Sequence, residues 1–195
     1  MPNLLLKDLP RYECLLEAAR EFPDLDPSAV EAFLHLLRTG DEVFSVGDRN
    51  LANHDISHGR FGVLMLLWRS NVTGATRLAA TEPCVAGPRT PAELADAAGV
   101  TRATMTGLVD TLERDGYVKR EPDPDDRRMM SVRLTRKGER FLTDFLPGHF
   151  RTIATLMSTL NESERKTLVR LLNKIQQQAA ALNAAQPART AAPPR

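Results

Sequence analysis

The chain has 195 residues, 42% of them hydrophobic, which is enough for one sizeable core or two small ones. Its 26 basic and 25 acidic residues leave a formal net charge of +1, so bulk charge points to no polyanionic partner and any basic surface must be local. Two cysteines exclude a disulfide framework, no stretch is long and apolar enough to span a bilayer, and Met1–Leu9 lacks a secretory signal's apolar core, so the expected compartment is the cytoplasm.

The first predicted element lies in LLLKDLPRYECLLEAAREF, Leu4 to Phe22, with Pro10 in the first turn of its main helix and Tyr12, Leu15, Leu16 and Ala19 as the buried stripe. A lone helix of this length is marginal in water and needs a surface to pack on. PDLDPS breaks the chain. Ser28 then opens a long helix with Val30, Phe33, Leu34, Leu37, Val43, Phe44 and Leu51 turned inward, weakened at Gly40 and Gly47 and ended or bent at Asp55–Ile56–Ser57. His54, Asp55 and His58 stand close together there, but two histidines and one carboxylate fall short of a closed zinc site, and a polar corner between helices is the better reading. The next run, HGRFGVLMLLWR, is apolar on nearly every side from Phe61 to Trp68 and predicts a central, buried helix. Residues 71–89 read as an extended connection with a short helical piece around Thr76–Ala80.

From Thr90 to Gly138 the signals become dense. Thr90 predicts an N-cap, with Pro91 at the first helical position and Glu93 placed for a reciprocal capping box. Leu94, Ala95 and Ala98 make one buried face, Gly99 ends the helix, and Val100 plugs the corner. Thr101 caps a second helix, whose stripe is Met105, Leu108, Val109 and Leu112 and whose stop is Gly116. Arg102, Thr104 and Thr106 face outward on its first turns, the part of a recognition helix that meets base edges in a major groove. Two short strands follow, one from Val118 and one over Ser131–Leu134, with EPDPDDRR as the loop between them. Arg127 and Arg128 sit near its tip, placed to enter a minor groove, with Asp125 or Asp126 able to hold one of them. The predicted DNA-contacting set also takes in Thr101 and Met105 on the helix and Arg120 on the first strand, one of several basic residues able to neutralise phosphates.

Beyond Gly138 a helix runs through Phe141, Leu142 and Phe145 until Pro147 interrupts it, and Phe150, Ile153, Leu156, Met157 and Leu160 resume the stripe. Asn161 caps a last helix, whose Leu168, Leu171, Leu172 and Ile175 have no cover in the local sequence. A second copy of the chain would cover them, which places a dimer interface on Leu4–Leu37 and Phe150–Leu182. After Asn183 the Ala/Pro tail is expected to be disordered. No Gly-rich phosphate loop, nucleophile elbow or catalytic cysteine signature occurs, so no enzyme is expected.

The run DxDxxDRRxxxVxLTxKG over Asp123–Gly138, following AELAxxxGVTRATMTGLVDxLExxGYVxR, resembles the MarR family of winged helix-turn-helix regulators, with turn, helix, wing loop and closing strand in the same order. The resemblance implies a mainly α fold with a small β wing, a homodimer joined through N- and C-terminal helices, a double-stranded DNA partner with a pseudo-palindromic operator, and a small effector. The expected organisation is N-terminal helices over 1–70 for dimerisation and effector binding, an extended connection over 71–89, a DNA-binding lobe over 90–138, dimerisation helices over 139–182 and a disordered tail over 183–195. In the family, effectors lie between the two helices before residue 71. Here Phe44, Phe61, Met65 and Trp68 would either be plain core or form the apolar wall of such a site, with Arg38, His58 and Arg60 as the donors for a planar aromatic carboxylate. The chain is more narrowly similar to proteobacterial repressors of aromatic-acid degradation, including the branch that controls nicotinate catabolism, which implies a hydroxynicotinate effector and no other cofactor. The connection over 71–89 departs from the family pattern, and urate-responsive branches share the extra N-terminal helix. Two other readings stand beside this one: a metal- or redox-responsive regulator, the latter through Cys14 and Cys84, and a winged helix that docks protein.

Overall fold

A computed structural model of the chain describes residues 8–71, 89–122 and 128–185. In order these form α1 (Tyr12–Glu21), α2 (Pro27–Ala52), α3 (His58–Asn71), α4 (Pro91–Ala98), α5 (Arg102–Arg114), β1 (Val118–Pro122), β2 (Met130–Leu134), α6 (Arg136–Met157) and α7 (Glu162–Ala185). The helical piece expected at Thr76–Ala80, the loop residues 123–127 and the last residues of the tail lie outside the described residues. The chain divides into two compact units, Met1–Phe145 and Leu146–Arg195.

In the first unit α1 starts later than expected: Arg11 is the residue before the helix, and Pro10 stands outside it. The long helix α2 opens at Pro27, because Asp26 supplies the capping oxygen; its Oδ1 accepts the Ser28 N–H at 2.9 Å and the Ala29 N–H at 3.1 Å. Gly40 and Gly47 do not break it. Asp55, in a left-handed conformation at φ 55°, turns the chain into α3.

Of the inward set expected on α2 only Leu51 is buried; Phe33 and Phe44 are more than half exposed, at 58% and 55%, and Val43 is exposed as well. Tyr12 and Leu16 of α1 also face outward, leaving Leu15 as the buried residue of that stripe. The central helix behaves as its composition predicts: Val63, Leu64 and Leu67 are fully buried, and α3 packs on α2, α4, α5 and β2.

Leu51, Ile56 and Phe145 form one core cluster, joined by Phe61, Tyr117 and Phe141. Phe61 meets Phe145 edge-on at 5.3 Å, and Phe141 stacks on Phe145 at 5.4 Å, both ordinary aromatic geometries. Leu94, Met105, Val109, Leu112, Val118 and Val132 are buried beside α3, which seats the helix pair and the hairpin on the central helix.

The second unit holds the rest of α6 and α7. Pro147 lies inside α6 without interrupting it: the missing N–H removes one rung, and the 22-residue helix carries the others. Asn161 and Glu164 cap α7 reciprocally, Oδ1 accepting the Glu164 N–H at 3.0 Å while the Asn161 N–H donates to the carboxylate at 2.8 Å. Val169, Leu171, Ile175 and Leu182 of α7 are exposed.

Candidate nucleic-acid interface

The helix pair is built as its punctuation dictates. Thr90 Oγ accepts the Glu93 N–H at 3.2 Å while the Thr90 N–H donates to Glu93 Oε2 at 2.8 Å, a complete capping box. Gly99, at φ 64°, takes the left-handed turn. The corner closes through backbone, Val100 N–H to Ala95 C=O at 3.1 Å; the Val100 side chain is exposed and plugs nothing, and Ala98 is exposed too. Thr101 caps α5 by accepting the Thr104 N–H at 3.1 Å.

On α5 the 3.6-residue period sorts the first turns into two faces. Met105, Val109 and Leu112 are fully buried, which removes Met105 from the DNA-contacting set: its side chain belongs to the core that seats the helix. Arg102, Thr104 and Thr106 are exposed together. Thr106 Oγ donates to the Arg102 carbonyl at 2.9 Å and keeps its acceptor lone pairs outward, and the Thr101 and Thr104 hydroxyls share a hydrogen bond of 2.9 Å. The Arg102 guanidinium makes no ion pair with the described residues.

The wing is an antiparallel hairpin in register Val118↔Leu134 through Pro122↔Met130. Arg89 adds a third, one-residue strand that the sequence reading missed: the Val132 N–H donates to the Arg89 carbonyl at 2.8 Å. The only signal for it was its place immediately before the capping Thr90. Ser131 and Val132 are both fully buried, so β2 does not show the simple alternation expected. Arg128 is exposed where the described return of the loop begins; Asp125 and Arg127 lie outside the described residues.

Arg120, expected among the DNA contacts, is committed within the chain. Its Nη1 pairs with Glu113, its Nη2 with Asp110 at 2.5 Å, and its backbone N–H donates to Glu113 at 2.8 Å, fastening β1 to α5. Burial pulls its pKa down, but the hydrogen bonds it donates to Asp110 and Glu113, with their negative charges, outweigh that, and the net shift is upward. Glu121 on β1 is held below the usual carboxylate range, chiefly by its hydrogen bond from Lys119, against a smaller opposing effect of burial.

Asp115, just past α5, gathers three elements. Arg60 Nη2 on α3 and Arg114 Nε, the latter at 3.2 Å, donate to its two carboxylate oxygens, and Lys137 Nζ on α6 donates to its carbonyl at 2.8 Å. Its carboxyl is held below the usual range, first by the Arg114 hydrogen bond, with burial opposing and the Arg60 charge adding. Arg60 is thereby committed within the chain. Phe61 is likewise committed, to the aromatic core, and neither stands ready as the ligand-facing group expected of it. Phe44 and His58 do come together, stacked at 4.0 Å between ring centroids, with His58 Nδ1 3.1 Å from Asp48. Arg38, Met65 and Trp68 are half-buried. His54 turns instead to the edges of Phe141 and Phe145, so it does not join His58, and among the described residues no cluster of three metal-ligating side chains forms. Cys14 is exposed on α1; Cys84 lies outside the described residues.

A short capped helix, a tight turn, a second helix with polar residues outward on its first turns, and a hairpin packed on that helix's end define a winged helix-turn-helix. A model of the MarR family matches residues 84–129. The HTH-type transcriptional repressor YetL of Bacillus subtilis (strain 168) is 35% identical over 170 residues, 87% of this chain and 93% of that protein. The HTH-type transcriptional repressor NicR of Pseudomonas putida is 37% identical over 89 residues, 46% of this chain and 56% of NicR. A crystal structure of the S. aureus MepR–DNA complex shares the fold, with a TM-score of 0.59 at 22% identity over 76% of this chain and 95% of that one. The chain belongs to the MarR family of transcriptional regulators, a family without enzymatic activity.

Proposed function

We propose that the chain is a homodimeric, sequence-specific DNA-binding repressor whose operator affinity is lowered by a small aromatic carboxylate. The observation that carries the DNA-binding part is the sorting of α5: Arg102, Thr104 and Thr106 are exposed together above a fully buried Met105, Val109 and Leu112. A helix seated by its apolar face and presenting an exposed guanidinium and hydroxyls at its N-terminal turns suits base edges in a major groove. A protein-docking winged helix would have no use for that arrangement.

Dimerisation is supported by the apolar side chains that each unit leaves uncovered, Phe33 and Phe44 in the first and Leu171 and Ile175 in the second. For the effector, the Phe44–His58 stack offers an aromatic surface beside a ring nitrogen, with Met65, Trp68 and Arg38 on the same two helices. A ligand changes operator affinity only if it binds one arrangement of the DNA-reading helices better than another.

Duplexes selected from a random library by the purified protein test the DNA reading. A consensus with two related half-sites, lost on Arg102→Ala, supports it, and recovery of unrelated duplexes contradicts it. Thermal shift with hydroxynicotinates, hydroxybenzoates, salicylate and urate tests the effector class, and no shift with any of them removes it.

A further inference from the structure

We propose that Arg60 is a positioning residue for DNA recognition, an ionic strut that sets the angle of α5 from the corner between α2 and α3. The inference rests on the DNA-binding reading.

The Arg60 side chain is only 14% exposed and makes two directed contacts: Nη1 donates to the Asp55 carbonyl at 3.0 Å, and Nη2 donates to Asp115. The first anchors it to the residue that turns the chain with a positive φ; the second holds the residue at the C-terminal end of the recognition helix. Arg60 Nε is buried without a hydrogen-bond partner among the described residues. An incompletely satisfied, largely buried guanidinium is a poor way to obtain stability, since apolar side chains of similar volume would join α3 to α5 without the desolvation cost. An ion pair supplies what an apolar contact does not, a fixed direction and distance.

That direction matters because α5 is a rigid rod. Its 13 residues span about 20 Å, so a tilt of about 10° at Asp115 moves the first turn by about 3 Å. Such a displacement is larger than the tolerance of hydrogen bonds from Arg102 or Thr104 to base edges. Contacts to phosphates are less demanding, because they carry charge attraction and no sequence information. Loss of the strut should therefore erode discrimination between duplexes more than it erodes general affinity.

The experiment uses the full chain, the duplex selected by the wild-type protein and a scrambled duplex of equal length, with affinities measured by fluorescence anisotropy and unfolding by calorimetry. The double variant Arg60→Met with Asp115→Leu replaces the ion pair with apolar groups. It is expected to unfold no lower than the wild type, to lose about tenfold in preference for the selected duplex, and to hold the scrambled duplex within about twofold. Retention of the full preference overturns the proposal. Arg60→Lys, which keeps the charge but not the forked geometry, covers the case of a double variant that does not fold: measured well below its unfolding temperature, it is expected to lose part of the preference, and an unchanged preference again overturns the strut. A wild-type protein with no duplex preference overturns the DNA-binding reading itself, a result separable from either variant outcome.

Discussion

Gly138 lies against the Tyr117 carbonyl so closely that a Cβ at position 138 would stand 2.3 Å from that oxygen. The same oxygen accepts the Thr135 N–H at 3.0 Å, and Thr135 Oγ, 2.7 Å from the Gly116 carbonyl, accepts the Gly138 N–H at 3.2 Å. The first turn of α6 is thus wrapped on the backbone that leaves the recognition helix, and only glycine fits at its closest point. Gly138→Ala is expected to destabilise the protein by roughly 1–3 kcal/mol, because the obstacle is a backbone atom. Gly62→Ala, in α3 with nothing within 4 Å, is expected to be neutral or to stabilise by up to about 1 kcal/mol. Thermal unfolding of the two variants checks this, and equal effects would contradict the close approach.

The Thr90–Glu93 box should act as a unit. Thr90→Ala and Glu93→Ala are each expected to cost about 1 kcal/mol, and the double variant less than their sum, because either change alone already removes the hydrogen bond of 3.0 Å that the Thr90 hydroxyl donates to Glu93 Oε2. Chemical denaturation of the three variants measures the coupling.

Acid should loosen the Asp115 junction. Its folded-state pKa lies below the ordinary carboxylate value, so its contribution is fully present above that ordinary value and is lost as pH falls through the lowered one. Asp115→Asn is expected to be less stable than the wild type near neutrality and to lose less stability on acidification across that window. Parallel stability profiles for the two proteins would rule out the junction as an acid-sensitive contact.

Exposed apolar residues on α2 and α7 should be covered in the dimer. Phe33→Glu and Ile175→Glu, at positions 58% and 50% exposed within one chain, should leave secondary structure intact while raising the dimer dissociation constant, read by sedimentation. Dimers of unchanged strength in both variants would place the interface elsewhere.

The parts of the fold with local chemical signatures were legible in the sequence. Thr90, Glu93, Gly99 and Thr101 mark helix ends through backbone hydrogen bonding that depends on the adjacent few residues, and α4 begins and ends, and α5 begins, where they indicate. Asn161 did the same for α7. Positions decided by distant neighbours were not legible. Periodicity put Phe33 and Phe44 inward, yet both are more than half exposed among the described residues; apolar spacing identifies a face without saying whether the chain itself or another copy covers it. Met105 and Arg120 lie within the recognition region by sequence, but one fills the core and the other is held by Asp110 and Glu113. Arg60 reads as a ligand-binding arginine on a polar corner; its partner Asp115 lies 55 positions away and was invisible to local pattern.

The most direct measurement is a hydroxyl-radical footprint of the protein on a duplex it has selected. Two protected patches on one face of the duplex, about one helical turn or roughly 34 Å apart, with protection of both weakened by Arg102→Ala, are the predicted result. Protection that does not depend on sequence, or that survives Arg102→Ala unchanged, would contradict recognition through the exposed first turns of α5.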